Sequence, residues 1–225
     1  MCGRYKLTVS WAEIHRLYNL TNSVNLRPRY NIAPTQDVLA IVFDGETKQR
    51  RGEMLRWGLV PFWAKDVKIG YHLINAKAET ITERPAYREA FKKRRCIIPA
   101  DAFYEWQETG QSLKQPYAIA MKDRSVFGFA GLWEKWTDKA SGETIRSCTI
   151  ITTEPNALCA PIYNRMPAIL DPADYAAWLG EQPASNDALR AMLKPFPAER
   201  MEAFKIGTKI GNVKYDEPEL VEPLA

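Results

Sequence analysis

Long hydrophobic runs, histidine and paired cysteines are all scarce in this chain of 225 residues, and each shortage excludes a class of protein. No stretch approaches the length of a membrane-spanning apolar helix, so no membrane span is expected. The residues after Met1 lack the apolar segment of a secretory signal, which predicts a cytoplasmic protein. Its four cysteines, none in a C-x-x-C pair, are then expected to be reduced. With two histidines, the chain gives little support for a zinc site, and we predict neither a metal nor an organic cofactor.

The composition is otherwise that of an ordinary folded domain. Hydrophobic residues make up 46% and charged residues 26%, which excludes disordered, collagen-like and low-complexity classes. Neither an internal repeat nor a linker interrupts the pattern, so we expect one domain over residues 1–225, with an acidic tail from about residue 216. The tail holds four acidic residues and no basic one. The rest of the chain therefore has a formal net charge of +8, from 31 Lys and Arg against 23 Asp and Glu. That excess favours a polyanionic partner.

Short apolar and alternating segments predict an α+β protein built on a curled mixed sheet. Strands are predicted near residues 38–43, 54–60, 96–99, 103–107, 117–121, 126–132 and 147–153. Capping signals predict helices from Ser10 to about Asn19 and from Asp171 to Gly180, and apolar spacing predicts a third over Thr82–Arg95. Residues 27–34 are predicted to be irregular, and residues 61–64 an exposed loop.

Cys2 is the first candidate for chemistry. A small residue at this position allows removal of Met1, which leaves one residue with both an α-amine, of pKa ~7.7–8.0, and a thiol, of pKa ~8.5. A nearby cation such as Arg4 can lower the thiol pKa. Such a pair captures an aldehyde, first as an imine and then as a thiazolidine. The same residue could be the nucleophile of an N-terminal-nucleophile hydrolase, or simply a small buried side chain.

Two further segments carry candidate residues. Alternation along residues 73–80 predicts a strand face that presents Asn75, Lys77 and Glu79; an amide there can orient an amine or hold an oxyanion. Glu105 lies in an aromatic run, where partial burial would raise its pKa and suit it to proton transfer. For each segment the simpler alternative is a solvated strand face.

A basic run with aromatic residues elsewhere in the chain is the last signal. It has two interpretations, a solvated helix face or a phosphate track beside stacking surfaces for single-stranded nucleic acid. The basic residues are Arg84, Arg88, Lys92, Lys93, Arg94 and Arg95, and the aromatic ones are Phe62, Trp63 and Trp106.

Ten segments, in this order, carry a resemblance to a known family. They are 1–4, 29–34, 56–61 with Trp63, 74–80, 95–100, 103–106, 129–133, 150–153, 165–167 and 211–213. Together they resemble the SRAP family (SOS-response-associated peptidase domains, or abasic-site processing proteins) from residue 1 to about 215.

The resemblance implies a fold, an activity and a partner. The fold is a single α+β domain around a distorted, mostly antiparallel barrel, with a positively charged DNA channel and short peripheral helices. The activity is covalent capture of abasic sites in single-stranded DNA by a monomer, through a thiazolidine between Cys2 and the ring-opened sugar. Removal of Met1 by a peptidase-type reaction and a lyase activity are implied as well, at the nucleoid within the cytoplasm.

Roles for individual residues follow from the same resemblance. Cys2 matches the crosslinking nucleophile, Asn75 the residue that orients amine and sugar, and Glu105 the acid/base. Phosphate contacts fall on Arg4, Lys77, Arg84 and Arg165, while Asn31, Pro34, Trp63 and Trp106 fall near the channel and its stacking surfaces.

The sequence departs from the family pattern at two positions. Tyr163 replaces a histidine that has an acid/base role in the family, and neither His15 nor His72 lies at that motif. A tyrosine, with a pKa of ~10, is a poor base at neutral pH but can donate a hydrogen bond. We therefore predict that Tyr163 slows ring opening or reversal. Lys77 stands where arginine is common, which keeps the charge and loses bidentate geometry.

Two other functions are compatible with the sequence. A cysteine N-terminal-nucleophile amidase or self-processing peptidase would use the same Cys2 and Glu105, but has no need of Trp63 or the basic run. A non-catalytic single-strand binding module would bind intact and abasic strands alike, with strong salt dependence and no covalent adduct.

Overall fold

The computed structural model describes residues 2–110 and 113–224. The strands are β1 (Tyr5–Leu7), β2 (Arg29–Ile32), β3 (Asp37–Asp44), β4 (Gln49–Trp57), β5 (Asn75–Lys77), β6 (Arg95–Ala100), β7 (Ala102–Gln107), β8 (Gln115–Met121), β9 (Phe127–Thr137), β10 (Thr144–Thr153), β11 (Met166–Pro167), β12 (Ile169–Leu170) and β13 (Met201–Lys205). The α-helices are α1 (Trp11–Tyr18), α2 (Arg88–Lys93), α3 (Tyr175–Leu179) and α4 (Asn186–Ala191). The 3₁₀ turns are Val67–His72, Ala78–Thr80, Pro172–Asp174, Ala198–Arg200, Thr208–Gly211 and Pro218–Val221. This mixture of many short strands and few short helices confirms the predicted α+β class.

Five strands close into a barrel. β3 pairs antiparallel with β4 along its whole length, β4 pairs parallel with β10, and β10 pairs antiparallel with β9. β9 pairs with β6, and β6 returns to β3 through Ile41 and Ile97, which completes the circle. Closure pairs the backbone groups that an open sheet would leave at its edges. The predicted curled sheet is therefore a closed barrel, and β5, β11 and β12 extend it at its margins.

A second sheet, in the order β13-β8-β7-β1-β2, packs against the barrel. Tyr5 of β1 is fully buried between two barrel residues, with ring centroids 5.4 Å from Trp57 and 5.7 Å from Phe129 in edge-to-face geometry. Edge-to-face aromatic pairs stabilise one relative orientation of the rings, in addition to the free energy of apolar burial. They fix the position of β1, and with it the N-terminal residues, relative to the barrel.

Two predicted helices form where their capping signals lie. The Ser10 hydroxyl accepts a hydrogen bond from Glu13 N at 3.2 Å, and Asn19 ends α1 in the left-handed conformation, with φ 51°. The Asp171 carboxylate accepts from Ala173 N at 3.1 Å, and Gly180 ends α3 with φ 90°. Local side-chain capping therefore sets both starts and a left-handed residue sets both ends.

The predicted helix over Thr82–Arg95 is wrong for most of its length. Only α2, Arg88–Lys93, is α-helical, because Pro85 has no N–H to donate and interrupts the pattern. Before it the chain turns, with Arg84 N donating to Thr80 O at 3.0 Å. After it, Arg95 already belongs to β6.

Other predicted bounds shift as well. The segment predicted to be irregular, 27–34, contains β2, which pairs with β1 through Tyr5 and Ile32. The strand predicted over 54–60 covers 49–57 instead. It ends at Trp57, and the next residue, Gly58, has φ 131°. A Cβ on Gly58 would lie 2.7 Å from the carbonyl oxygen of Gly70, so the close approach of these two segments requires glycine. The strands predicted at 126–132 and 147–153 are longer, as β9 and β10.

No helix in the described ranges has both the length and the apolar composition that a bilayer crossing requires.

Candidate functional site

Cys2 and Glu105 are brought together by the pairing of β1 with β7. The two strands are antiparallel, with Tyr5 opposite Phe103, so the residues before Tyr5 run alongside the second half of β7. Both side chains are buried: Cys2 is 0% exposed and Glu105 3% exposed. Met1, whose removal the sequence predicts, lies outside the described residues.

The surroundings of this pair raise both pKa values. Burial raises the pKa of the Cys2 thiol well above its usual range, and the neighbouring charge of Glu105 raises it further. The expected lowering of this pKa by the Arg4 cation is therefore wrong, since the Arg4 guanidinium donates to Asn31 and to the Ile210 carbonyl instead. Burial also raises the pKa of Glu105 to about 7, from an ordinary value of 4.5. A carboxyl group with this pKa exchanges its proton readily near neutral pH, which is what acid/base chemistry needs.

A pocket of about 390 Å³ lies beside β5 and gathers four of the predicted site residues. β5 runs parallel to β10, with Asn75 opposite Ile150. Asn75 and Lys77 both line the pocket, which confirms that these alternating residues share one face of the strand. Other lining residues are Trp63, Arg84, Tyr87 and Thr152.

Asn75 is fixed through its backbone and leaves its side-chain oxygen available. The Tyr87 hydroxyl donates to the Asn75 carbonyl at 3.0 Å, and burial raises the pKa of Tyr87 to about 12, so this donor stays protonated. Asn75 Nδ2 donates to the Ile150 carbonyl at 3.5 Å. Asn75 Oδ1 is buried and accepts no hydrogen bond from the described part of the chain. It can therefore accept one from a ligand.

Two cations and one aromatic ring form the exposed rim of this pocket. Lys77 and Arg84 are exposed, and neither is within 4.0 Å of a carboxylate among residues 2–110 and 113–224. Trp63 is 48% exposed and its neighbour Phe62 is 59% exposed, as predicted for the loop at 61–64. Unpaired cations beside an exposed ring are the elements with which proteins hold a single strand.

Arg94 and Arg95, at the end of the basic run, have partners within the protein. Arg94 Nη2 lies 2.8 Å from Glu134 Oε2, and Arg95 Nη1 donates to the carbonyl of Phe91 at 2.7 Å. Arg95 Nε donates to the Trp178 carbonyl at 2.5 Å. The predicted basic run is therefore not one continuous phosphate-binding surface, because the side chains of Arg94 and Arg95 at its end bind groups of the protein itself.

Arg4 and Asn31 bind the C-terminal segment. Arg4 Nη1 donates to Asn31 Oδ1 at 2.8 Å and to the Ile210 carbonyl at 2.7 Å. Asn31 Nδ2 donates to the Tyr215 carbonyl at 2.8 Å. The Asp216 carboxylate accepts from Asn31 N at 2.9 Å, so the acidic segment begins with a residue docked on β2. In this structure both predicted DNA-binding residues hold the protein's own chain.

Arg165 and Glu79 form an ion pair next to the pocket. Arg165 Nη1 donates to Glu79 Oε1 at 2.6 Å and Nη2 to Oε2 at 2.9 Å. This hydrogen bonding is the main cause of a lowered Glu79 pKa. Glu79 lies in the 3₁₀ turn after β5, so the prediction that it continues the strand face of Asn75 and Lys77 is wrong. The strand is only three residues long and the chain turns at Ala78.

Tyr163 lies on a segment attached to the end of β7. Gln107 Nε2 donates to the Pro161 carbonyl at 2.9 Å, and Tyr163 N donates to the Cys159 carbonyl at 2.9 Å. Burial raises the pKa of Cys159 to about 12, with a smaller contribution from the charge of Glu105. The segment that carries half-buried Tyr163 is therefore near the Cys2–Glu105 pair.

Trp106 and Pro34 belong neither to the surroundings of the Cys2–Glu105 pair nor to the lining of the pocket beside β5. Side chains alternate along β7, so Trp106 points to the opposite face from Glu105. There it packs against a separate apolar cluster that includes Tyr104 and Ile210. Pro34 is half-buried just after β2 and does not line the pocket beside β5.

Three residues of the site escaped the sequence analysis. Tyr87 lies in the segment predicted as the third helix and had no predicted role, although its hydroxyl anchors the Asn75 backbone. Thr152 enters the pocket because β10 pairs with β5, and Cys159 approaches Glu105 through a loop. The last two contacts depend on long-range pairing, which leaves no local signal. No cluster of three or more metal-binding side chains occurs in the described ranges.

The fold and the site define a barrel protein with a buried cysteine–glutamate pair at its N-terminal strand and a pocket beside β5 that is lined by two cations. A family model described as SOS response associated peptidase (SRAP) matches residues 1–213. The chain belongs to this family.

Relatives with established names are similar over nearly the whole chain. The abasic site processing proteins YoqW and YoaM of Bacillus subtilis are 43% and 44% identical over 225 residues, which is 99% of this chain and 99% and 98% of theirs. The abasic site processing protein HMCES of Xenopus tropicalis is 32% identical, over 97% of this chain and 77% of its own. A crystal structure of a Bacteroides thetaiotaomicron protein superposes with a TM-score of 0.90, at 29% identity and full coverage of both chains.

The raised pKa of Glu105 predicts a pH-dependent cost to stability. The folded protein keeps this proton until about pH 7, whereas the unfolded chain loses it near 4.5, so stability falls as the pH rises between those values. Glu105→Gln removes the effect. Relative to wild type, the variant should gain about 3 kcal/mol in free energy of unfolding between low and high pH. Urea unfolding of both proteins below and above this window measures the gain. An equal difference at the two pH values would contradict the assigned pKa.

Proposed function

We propose that this protein captures abasic sites in single-stranded DNA by a covalent thiazolidine link to Cys2 and so protects the lesion. The observation that carries the proposal is the buried Cys2–Glu105 pair, in a family whose relatives are named abasic site processing proteins. The protein would act as a monomer in the cytoplasm, at the nucleoid, once Met1 has been removed by a peptidase-type step.

The proposed reaction needs no oxidant, metal or organic cofactor. The α-amine of Cys2 attacks the C1′ aldehyde of the ring-opened sugar, and loss of one water gives an imine. The thiol then adds to the imine carbon, its proton passes to the nitrogen, and the thiazolidine ring closes. Glu105, with a pKa of about 7, would protonate the departing oxygen and relay the thiol proton to the nitrogen. Lyase activity would arise from the imine before ring closure, when a base removes a C2′ proton and the 3′ phosphate leaves by β-elimination.

Asn75 and the basic pocket would hold the strand around the lesion. Asn75 Oδ1, which accepts no hydrogen bond from the described residues, is free to orient the amine or a sugar hydroxyl. Lys77 and Arg84 would bind phosphates, and Trp63 would stack on a base. Since phosphate contacts and stacking do not read base edges, capture should tolerate any sequence around the lesion.

Tyr163 would act as a hydrogen-bond donor to the sugar in place of the family histidine. Its segment is attached to β7 through Gln107 and lies near Glu105. The hydroxyl of a phenol can donate a hydrogen bond to a sugar oxygen. Glu105 would then carry the acid/base work alone, and ring opening or reversal would be slower.

Intact mass of the protein after mixing with an abasic single-stranded oligonucleotide tests the proposal. The expected species lacks Met1 and carries the oligonucleotide minus one water. Cys2→Ala should abolish this stable adduct, because an imine without a thiol hydrolyses. Cys148→Ala is the matched control, since it removes another fully buried thiol that is not among the site residues and should leave the adduct intact.

The other functions make different predictions in the same experiment. A binding module would retain intact and abasic strands equally and form no adduct. An amidase would turn over peptide or amide substrates without DNA. Absence of the adduct from protein with a mature Cys2 terminus would refute covalent capture, and amide turnover in that protein would favour the amidase.

Tyr163→His should speed up the covalent chemistry, because imidazole titrates near neutral pH and can share the proton transfer. We expect an increase of about tenfold or more in the rate of adduct formation or release, within the range of general acid–base catalysis. Quenched time points resolved on a denaturing gel measure both rates. Tyr163→Phe, which removes only the hydroxyl, is the control for the donor role. Equal rates for the histidine variant and wild type would rule out this role for position 163.

A further inference from the structure

Among the proposed phosphate-binding residues, Arg165 has a carboxylate partner, Glu79, whereas Lys77 and Arg84 have none in the described ranges. Arg165 is held from one side by the Thr152 carbonyl, which accepts from Nη2 at 2.7 Å. Glu79 accepts from both terminal nitrogens, at 2.6 and 2.9 Å. The carboxylate is 46% exposed and the guanidinium 15% exposed, so Glu79 is the accessible partner.

The pair lies at the edge of the proposed strand-binding pocket. Thr152 lines the pocket and is paired in register with Lys77 of β5. Lys77 has no carboxylate within ion-pair distance in the described ranges, whereas both terminal nitrogens of Arg165 donate to Glu79. The charge of Lys77 contributes to the lowered pKa of Glu79, so a strand bound at Lys77 would come close to the carboxylate that holds Arg165.

We propose that Glu79 competes with DNA phosphate for Arg165 and thereby weakens the binding of undamaged single strands. A carboxylate and a phosphate both offer two oxygens to the fork of a guanidinium, so one can replace the other with the same geometry. The exchange is feasible because partly exposed ion pairs contribute little free energy. The Thr152 carbonyl keeps the guanidinium in place while its partner changes.

This role of Glu79 rests on the proposed function and deepens it. Covalent capture retains an abasic strand whatever the equilibrium affinity, while an intact strand is held by equilibrium binding alone. A residue that lowers affinity for every strand therefore releases mainly the undamaged ones. Glu79 would be a specificity-determining residue without contact to the lesion.

Binding of an intact, fluorescently labelled single-stranded oligonucleotide tests the proposal. Glu79→Gln should bind about fivefold more tightly than wild type, since roughly 1 kcal/mol is the upper value for an exposed ion pair. Glu154→Gln is the matched control, because it removes a carboxylate that lies near Glu79 and has no ion pair in the described ranges. Its affinity should change less than twofold, an estimate for an unpaired exposed charge at roughly physiological salt.

A double-mutant cycle separates competition from general charge. The gain from Glu79→Gln should vanish when Arg165 is already Gln, because no guanidinium is left to release. Thermal melting checks that each variant is folded. If Arg165→Gln does not fold, Arg165→Lys takes its place, since it keeps the charge without the bidentate fork and should shrink the gain.

Two results would overturn the proposal: an unchanged or weaker affinity of Glu79→Gln, or an equal gain in both Arg165 backgrounds. Repeating the measurement with an abasic analogue that lacks the aldehyde measures equilibrium affinity alone, because this analogue cannot form the covalent link. A failure of covalent capture would appear in the intact mass, and a failure of the Glu79 competition only in these affinities.

Discussion

The pairing of β1 with β7 is the constraint on which the rest of the site depends. With Tyr5 opposite Phe103, the chain before Tyr5 runs beside Glu105 and carries Cys2 to it. A slip of one residue in this register would turn Glu105 to the other face of the sheet, where Trp106 now lies. The burial of Tyr5 against Trp57 and Phe129 prevents the slip, because the aromatic side chain fits only one place on the barrel.

The same burial gives the pair its chemical character. Water is excluded from Cys2 and Glu105, so each is held closer to its neutral form than it would be at the surface. For Glu105 this moves the proton equilibrium to about pH 7, at a cost in folding free energy that the barrel core must offset. Groups whose pKa values are shifted at such a cost cluster at functional sites, which agrees with a role for this pair beyond packing.

The sequence predicts the parts of this molecule that depend on neighbouring residues. Apolar runs and the Ser10 cap identify strands and a helix, and alternation places Asn75 and Lys77 on one face. It fails where a single residue changes the local rule, as Pro85 does in the predicted helix. Prediction from the sequence also fails where the partners are far apart in the chain. The hydrogen bond from Arg4 to the Ile210 carbonyl joins residues about 200 positions apart, and no local pattern near either residue predicts it.

Our central claim is that Glu105 transfers the proton while Cys2 forms the covalent link. The most direct test is the rate of adduct formation as a function of pH, for wild type and Glu105→Gln, from about pH 5 to about pH 9. We predict an inflection for wild type near the Glu105 pKa of about 7. The variant should keep only the dependence on the α-amine, which titrates at ~7.7–8.0. Superimposable profiles for the two proteins would contradict the claim.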